Sequence, residues 1–298
     1  MDRREFLRSA GTAAGVLTAR RLFAWSATPA PWRTFEVTTH VHVQHPIGIT
    51  RVWIPTPLAV APYQKTLGDT YHVDAGSVSM VEREEIDVLA AQWPDGVDPV
   101  LTLTCRVATV DYAIDLATPT VPPPRDFSAF SRYLRPPALA SVDELNKTAA
   151  MTRGAGTDLD RARALYESIA AGGSHSASAS DPTAFYVTLS RIAGIPARPV
   201  YGLRLDNADA TRAQTLRAEV YLVGYGWVPV DLGQRGGFGS WAAGWMAYNS
   251  AQDVVLPGST HGAIAYVMHP HGETGKKRID SLDATAFRYE IGVRSIDA

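Results

Sequence analysis

The fold is decided by one stretch of the sequence, AFYVTLSRIAGIPARPVYG, which occupies residues 184–202. Its first half repeats apolar side chains at helical spacing, beginning with Phe185. Asp181 and Pro182 stand just before it, in the order typical of a helix N-cap and a proline at the first helical position. Gly194 is a typical helix stop. The stretch therefore predicts a helix that ends at Gly194 and is followed by a strand.

The residues beyond this stretch alternate between strand and turn patterns. Alternating and β-branched runs predict strands over residues 199–205, 216–222 and 227–232, and a Gly-Tyr-Gly run is typical of a hairpin loop between the last two. Further strands are expected at residues 263–268 and 287–293. These strands predict an antiparallel sheet on which the helix packs.

On the N-terminal side, two capping boxes at residues 141–144 and 157–160 predict two more helices. Before them, composition changes abruptly, since six of the chain's 20 prolines fall within residues 118–137. We expect an extended, proline-rich linker over residues 118–140.

Residues 31–117 carry a succession of short strands. From Thr34, apolar and polar side chains alternate with a period of two, which is typical of a half-buried strand. Cys105 lies in register with apolar neighbours, so we expect a buried thiol. The region predicts a small antiparallel β-sandwich. Its expected strands are residues 34–43, 49–54, 77–83, 88–93 and 100–109.

The first 30 residues have the pattern of an export signal. Arg3 and Arg4 precede Phe6 and Leu7, and a small, mildly apolar stretch follows. This arrangement resembles a twin-arginine signal peptide, so residues 1–30 are expected to direct export to the periplasm or beyond. No transmembrane anchor is expected after the signal is removed, because no uninterrupted apolar run reaches about 18 residues.

Composition excludes several classes of protein. The chain has 298 residues, 46% hydrophobic and 19% charged, which is ordinary for a globular protein and unlike disordered or fibrous sequences. Removing the five arginines and two acidic residues of positions 1–30 from totals of 28 basic and 30 acidic residues leaves a net charge of −5. We therefore expect no nucleic-acid partner. No cofactor is expected either, since no phosphate-binding glycine loop occurs.

The central stretch resembles the core of the transglutaminase-like superfamily. The resemblance rests on GIPAR at residues 194–198, on RAEVYL at 217–222 and on GWVPVD at 226–231, and it covers roughly residues 140–255. It implies a papain-related domain over residues 141–298, including a C-terminal extension. The whole chain is then an α+β protein, with the β-sandwich followed by a domain whose central helix packs on an antiparallel sheet.

The resemblance also implies a catalytic triad of Cys, His and Asp for acyl transfer or amide hydrolysis. Transferred by position, the nucleophile falls on Ala179, the base on Thr215 and the third residue on Asp231. Alanine cannot attack a carbonyl, and threonine cannot act as a base near neutral pH. Asp231 is also a typical strand-end residue that caps the following turn. The triad is therefore expected to be degenerate.

Two functions follow from these residues. The first is a catalytically inactive protein that retains a groove for a peptide, a protein or a cell-envelope ligand. The alternative is an active acyltransferase or amide hydrolase with a displaced nucleophile and base, for which Ser178, Ser180 and His175 are the substitutes.

Aromatic residues are further candidates for a groove, although packing in the core and in hairpins is the default explanation for such large side chains. The candidates are Trp227, Trp245 and Tyr248, with Tyr225 and Trp241 nearby. Histidine pairs at residues 40 and 42 and at 269 and 271 could hold a metal ion, but no carboxylate or thiol completes a ligand set, so no metal site is expected.

Overall fold

The structure is a computed structural model that describes residues 31–296 except residues 60, 84, 136–140 and 173–180. The predicted signal, residues 1–30, lies outside the described residues. Secondary-structure elements are numbered below in chain order.

Two antiparallel sheets form the front of the molecule. In spatial order, the first sheet contains β15 (Phe287–Ser295), β1 (Arg33–Val43), β6 (Val100–Thr109) and β3 (Gln64–Val73). The second contains β14 (Lys277–Ile279), β13 (His271–Thr274), β2 (Thr50–Pro55), β5 (Asp87–Trp93) and β4 (Ser77–Glu82).

These two sheets pack face to face around one core. Val41 of β1, Leu89 of β5 and Phe287 of β15 are all buried within it. The period of two in β1 places Phe35, Val37 and Val41 on this inner face, as the sequence predicts. The predicted β-sandwich is therefore confirmed.

A third antiparallel sheet follows in sequence and contains β10 (Gly226–Val230), β9 (Gln214–Leu222), β8 (Ala197–Arg204) and β12 (Trp245–Asn249). A two-stranded sheet pairs β11 (Ser240–Trp241) with β7 (Tyr112–Ala113).

The helices belong with the third sheet. They are α1 (Ser131–Leu134), α2 (Val142–Met151), α3 (Asp158–Ala170) and α4 (Pro182–Ile192), and a 3-10 turn (Ser128–Phe130) precedes α1.

The central helix α4 packs directly on the third sheet. Phe185 and Leu189 of α4 share a buried core with Ala218 and Val220 of β9. Both predicted capping boxes are present, at the starts of α2 and α3. The α+β prediction is confirmed. None of the helices within the described ranges has the length and apolarity needed to cross a bilayer.

The C-terminal residues return to the front of the molecule. The sequence placed residues 141–298 in one domain, but β13 pairs with β2, and β15 pairs with β1 along its length. Pro31–Ala298 form one compact unit. Local alternation in β15 could predict a strand but not its partner.

One expected strand is absent from the described residues, and one observed strand was not expected. The strand predicted at residues 263–268 does not form, because this segment crosses over the second sheet and buries Val267 against the core around Trp53 instead of pairing along its length. Conversely, β3 was not predicted. It lies at the edge of its sheet with Leu67 and Tyr71 exposed, so it lacks the alternation of a half-buried strand.

Candidate functional site

A cavity of about 910 Å³ opens where the strands of the third sheet meet the start of α4. This volume is at the upper end of the range for small-molecule sites. Its wall is formed by the beginning of α4, the ends of β8 and β9, the turn after β10 and the segment before β13. The lining residues are Asp181, Pro182, Thr183, Ala184, Tyr201, Arg204, Gln214, Thr215, Leu216, Arg217, Asp231, Gly233, Gln234, Trp245, Gln252, Ala265, Tyr266 and Met268.

The first turn of α4 is fixed in this wall by its N-cap. Asp181 Oδ1 accepts hydrogen bonds from the backbone N–H of Thr183 at 2.7 Å and of Ala184 at 3.1 Å. These bonds satisfy two amides that have no partner within the helix. The predicted nucleophile position, Ala179, is only two residues before Asp181 in sequence. Residue 179 lies outside the described residues, as do the predicted substitutes Ser178, Ser180 and His175.

Thr215, the predicted base position, lies in the cavity wall near the start of β9. Its hydroxyl oxygen accepts a hydrogen bond of 2.8 Å from the indole Nε1 of Trp245. Gly202 is the neighbour of Thr215 on β8, and a Cβ atom on Gly202 would collide with the Trp245 ring and the Met246 carbonyl oxygen. The absence of a side chain at Gly202 therefore lets the indole reach Thr215.

Asp231, the predicted third position, is also in the wall, and its carboxylate is fully engaged. Oδ2 forms an ion pair of 2.8 Å with Nη2 of Arg217, and Oδ1 accepts a hydrogen bond of 2.9 Å from the Gly233 amide. The two side chains of the ion pair are only 10% and 12% exposed. Asp231 thus has an ion-pair partner and a turn-capping role.

Arg217 is held between two indole rings. Its guanidinium carbon is 4.6 Å from the Trp245 ring centre and 5.7 Å from that of Trp241. Burial lowers the pKa of the Arg217 guanidinium, and the charge of Asp231 opposes that shift. The stack thus places a buried cation directly beside the carboxylate of Asp231.

Sequence reasoning did not assign roles to Arg217 or Gly202. A signal for Arg217 was present, because residues two apart on a strand share a face, so Thr215 and Arg217 point the same way. No local signal pairs Arg217 with Asp231, since that contact depends on the register of β9 and β10.

The structure brings Thr215, Asp231 and Trp245 to one cavity, but it places the other two groove candidates elsewhere. Trp227 lies in a separate aromatic cluster, 4.2 Å from the Arg198 guanidinium carbon and in contact with Tyr133. Tyr248 is 3% exposed in the sandwich core. Alternation alone could not distinguish these buried rings from one in a wall.

The groups expected for thiol chemistry are not in the described wall. Cys105 is buried in the sandwich, and burial followed by the Asp69 carboxylate raises the pKa of its thiol. Within the described part of the cavity wall there is no histidine.

The predicted histidine pairs have other partners. His42 Nε2 is 2.8 Å from Asp98, and His269 Nδ1 is 3.1 Å from the Tyr289 hydroxyl. Burial, followed by the charges of His269 and Arg278, lowers the pKa of His271 to about 4. In the described ranges no three histidine, cysteine or acidic side chains cluster in a way that could hold a metal ion.

Comparison with known proteins gives matches in both sequence and structure. Residues 146–232 match the family model of the transglutaminase-like superfamily core. An uncharacterized protein of Haemophilus influenzae is 30% identical in a match that covers 37% of this chain and 41% of that protein. The chain therefore spans about two fifths of the length of this curated relative.

Two solved structures are similar. A candidate cysteine protease from Cytophaga hutchinsonii has a TM-score of 0.54 at 14% identity, and the match covers 90% of this chain and 92% of that one. The periplasmic domain of TgpA from Pseudomonas aeruginosa has a TM-score of 0.34 at 15% identity, with 62% and 87% of the two chains covered. The first likeness shows a shared fold.

The residues that match the family model contain α3, α4, β8 and the β9–β10 hairpin, which carry Thr215 and lead to Asp231. From these elements and the shared fold it follows that this chain carries a transglutaminase-like domain of papain-related fold.

Proposed function

We propose that this protein is an exported, catalytically inactive member of the superfamily that uses its cavity to bind a peptide or cell-envelope ligand. The proposal combines the substituted triad positions with the twin-arginine pattern of residues 1–30.

The observation that carries the proposal is the ion pair between Arg217 and Asp231. In a Cys-His-Asp triad, the aspartate orients the histidine and stabilises its charged form. Here a permanent cation holds that carboxylate at 2.8 Å, and Trp245 donates to the hydroxyl of Thr215. An arginine cannot exchange protons near neutral pH. Asp231 and Thr215 thus have partners other than a base.

The loss of nucleophile and base is large in energetic terms. Removal of a triad typically lowers turnover by about a millionfold. The one cysteine of the chain, Cys105, is in the sandwich core, so it offers no replacement thiol in the cavity. The Cytophaga protein is described as a candidate cysteine protease, and that activity requires a reactive thiol.

The first test measures turnover by the purified full chain. We expect neither hydrolysis of peptide amides nor transfer of peptide acyl groups to a labelled primary amine. The matched control is Asp231→Asn, with circular dichroism to establish that it folds. Turnover that this variant abolishes while it remains folded would refute the proposal.

A second test addresses the displaced-nucleophile alternative. We expect a fluorophosphonate probe, which labels activated serines, to leave the protein unlabelled. The control is the double variant Ser178→Ala, Ser180→Ala. Labelling of the native chain that disappears in the double variant would establish the serine route instead.

A further inference from the structure

The two carboxylates in the described cavity wall are already engaged. Asp181 caps two amides of α4, and Asp231 binds Arg217 and the Gly233 amide. The N-terminal end of the α4 dipole also offsets the charge of Asp181. Both carboxylates therefore already have partners within the fold.

Several groups in this wall are hydrogen-bond donors with no acceptor in the described part of the chain. Arg204 is exposed at the end of β8 and has no ion-pair or side-chain hydrogen-bond partner in the described part of the chain. The Thr215 oxygen accepts from Trp245, which leaves its O–H to donate. Gln252 Oε1 accepts from Arg191 Nη2 at 2.7 Å, which leaves the amide NH₂ group. The wall thus presents the unpaired Arg204 cation beside the donors of Thr215 and Gln252, and the buried Gln214 Nε2 and Arg217 Nη1 also have no hydrogen-bond partner in the described part of the chain.

An apolar surface lies beside these donors. The ring of Tyr266 is stacked on Tyr201, with centroids 5.2 Å apart and planes 17° apart, and Tyr266 is 45% exposed. Met268 and Ala265 continue this part of the wall. Such a surface suits an aromatic or aliphatic side chain.

We infer that the cavity binds an extended peptide through a carboxylate of that peptide. Arg204 forms an ion pair with this carboxylate, and Thr215 and Gln252 donate hydrogen bonds to it. The ring of Tyr266 packs against a neighbouring apolar side chain of the peptide. A carboxylate is an acceptor-only group, and it matches the donors that Arg204, Thr215 and Gln252 offer in this wall. The carboxylate comes from the peptide C-terminus or from an acidic side chain. The inference rests on the proposed function, because it assumes binding without turnover.

The experiment uses the full chain and isothermal titration with defined peptides. The first pair is acetyl-Ala-Ala-Phe-Ala-Ala with a free C-terminus and the same peptide with an amidated C-terminus. The second pair is amidated and carries either Glu or Gln after the Phe. We expect the acid of at least one pair to bind about tenfold more tightly than its neutral partner, as for a charge-assisted hydrogen bond. The pair that shows the difference identifies the source of the carboxylate.

Two variants assign the effect to the cavity. Arg204→Gln should abolish the difference between acid and neutral peptide, whereas Arg106→Gln, which makes the same charge change on the outer face of β6, should preserve it. Tyr266→Ala should weaken the binding of all four peptides to the same extent.

Several outcomes overturn the inference. The first two are equal binding of acid and neutral peptides and a difference between them that survives Arg204→Gln. The other two are the absence of binding by any peptide at millimolar concentration and binding of trigalacturonate, an acidic oligosaccharide, in place of the peptides. If acid and neutral peptides bind equally well, this inference fails but the proposed function remains intact. Hydrolysis of a peptide during the titration would instead refute the proposed function.

Discussion

Replacing Arg217 with methionine should destabilise the protein strongly, because it leaves a buried carboxylate without its partner. The side chains of Arg217 and Asp231 are 10% and 12% exposed, so solvent cannot replace the lost ion pair. Removal of one member of a buried pair typically costs about 3–5 kcal/mol. Methionine retains most of the contact of the arginine stem with the indoles, so the loss is mainly electrostatic.

Urea denaturation followed by tryptophan fluorescence measures this cost, and the melting temperature should fall by roughly 10 °C. The control Arg106→Met changes an exposed arginine and should alter the free energy of unfolding by less than about 0.5 kcal/mol.

A double-mutant cycle separates the ion pair from general damage to the site. In the variant Arg217→Met, Asp231→Leu both charges are absent, so its free energy of unfolding should exceed that of Arg217→Met alone. If Arg217→Met costs less than about 1 kcal/mol, or if the two substitutions are simply additive, the ion pair does not stabilise the site as argued.

Three further predictions concern other parts of the molecule. Gly202→Ala should lower the free energy of unfolding by about 1–3 kcal/mol in denaturation, because its Cβ collides with the indole and carbonyl that cover it, while Gly244→Ala, with open space around its Cβ, should cost much less. Burial lowers the pKa of His271 to about 4, so between about pH 6.5 and pH 4 the unfolded chain binds a proton at this residue that the folded chain does not bind. The free energy of unfolding should therefore fall by about 3 kcal/mol as the pH is lowered through this range. Urea denaturation at a series of pH values should show this loss, and the variant His271→Asn should show a smaller one. Replacing Arg3 and Arg4 with lysines should retain the protein in the cytoplasm, as fractionation and immunoblotting would show, and unchanged export would contradict the twin-arginine assignment.

The sequence predicted those features that depend on local interactions. The N-cap at Asp181 and the stop at Gly194 bound α4 correctly because capping involves only neighbouring residues. The strand β6 was predicted at its observed bounds, since its alternation reflects burial on one face.

Pairing between distant segments could not be predicted in the same way. The return of residues 271–295 to the front sheets depends on which strand edges are free after the rest has folded. Likewise, the contact between Arg217 and Asp231 depends on the register of the β9–β10 hairpin. The hydrogen bond from Trp245 to Thr215 depends on residue 202 being a glycine, because a Cβ atom there would collide with the indole ring. A single sequence carries no direct record of these choices.

The pairing of β1 with β15 has a consequence for biosynthesis. Phe35 lies opposite Ser295, so β1 acquires one of its two neighbours only after residues 287–295 have been translated. Closure of so distant a contact is entropically costly and slow. We therefore expect ribosome-bound nascent chains that stop before residue 287 to expose the edge of β1 that β15 covers in the folded protein.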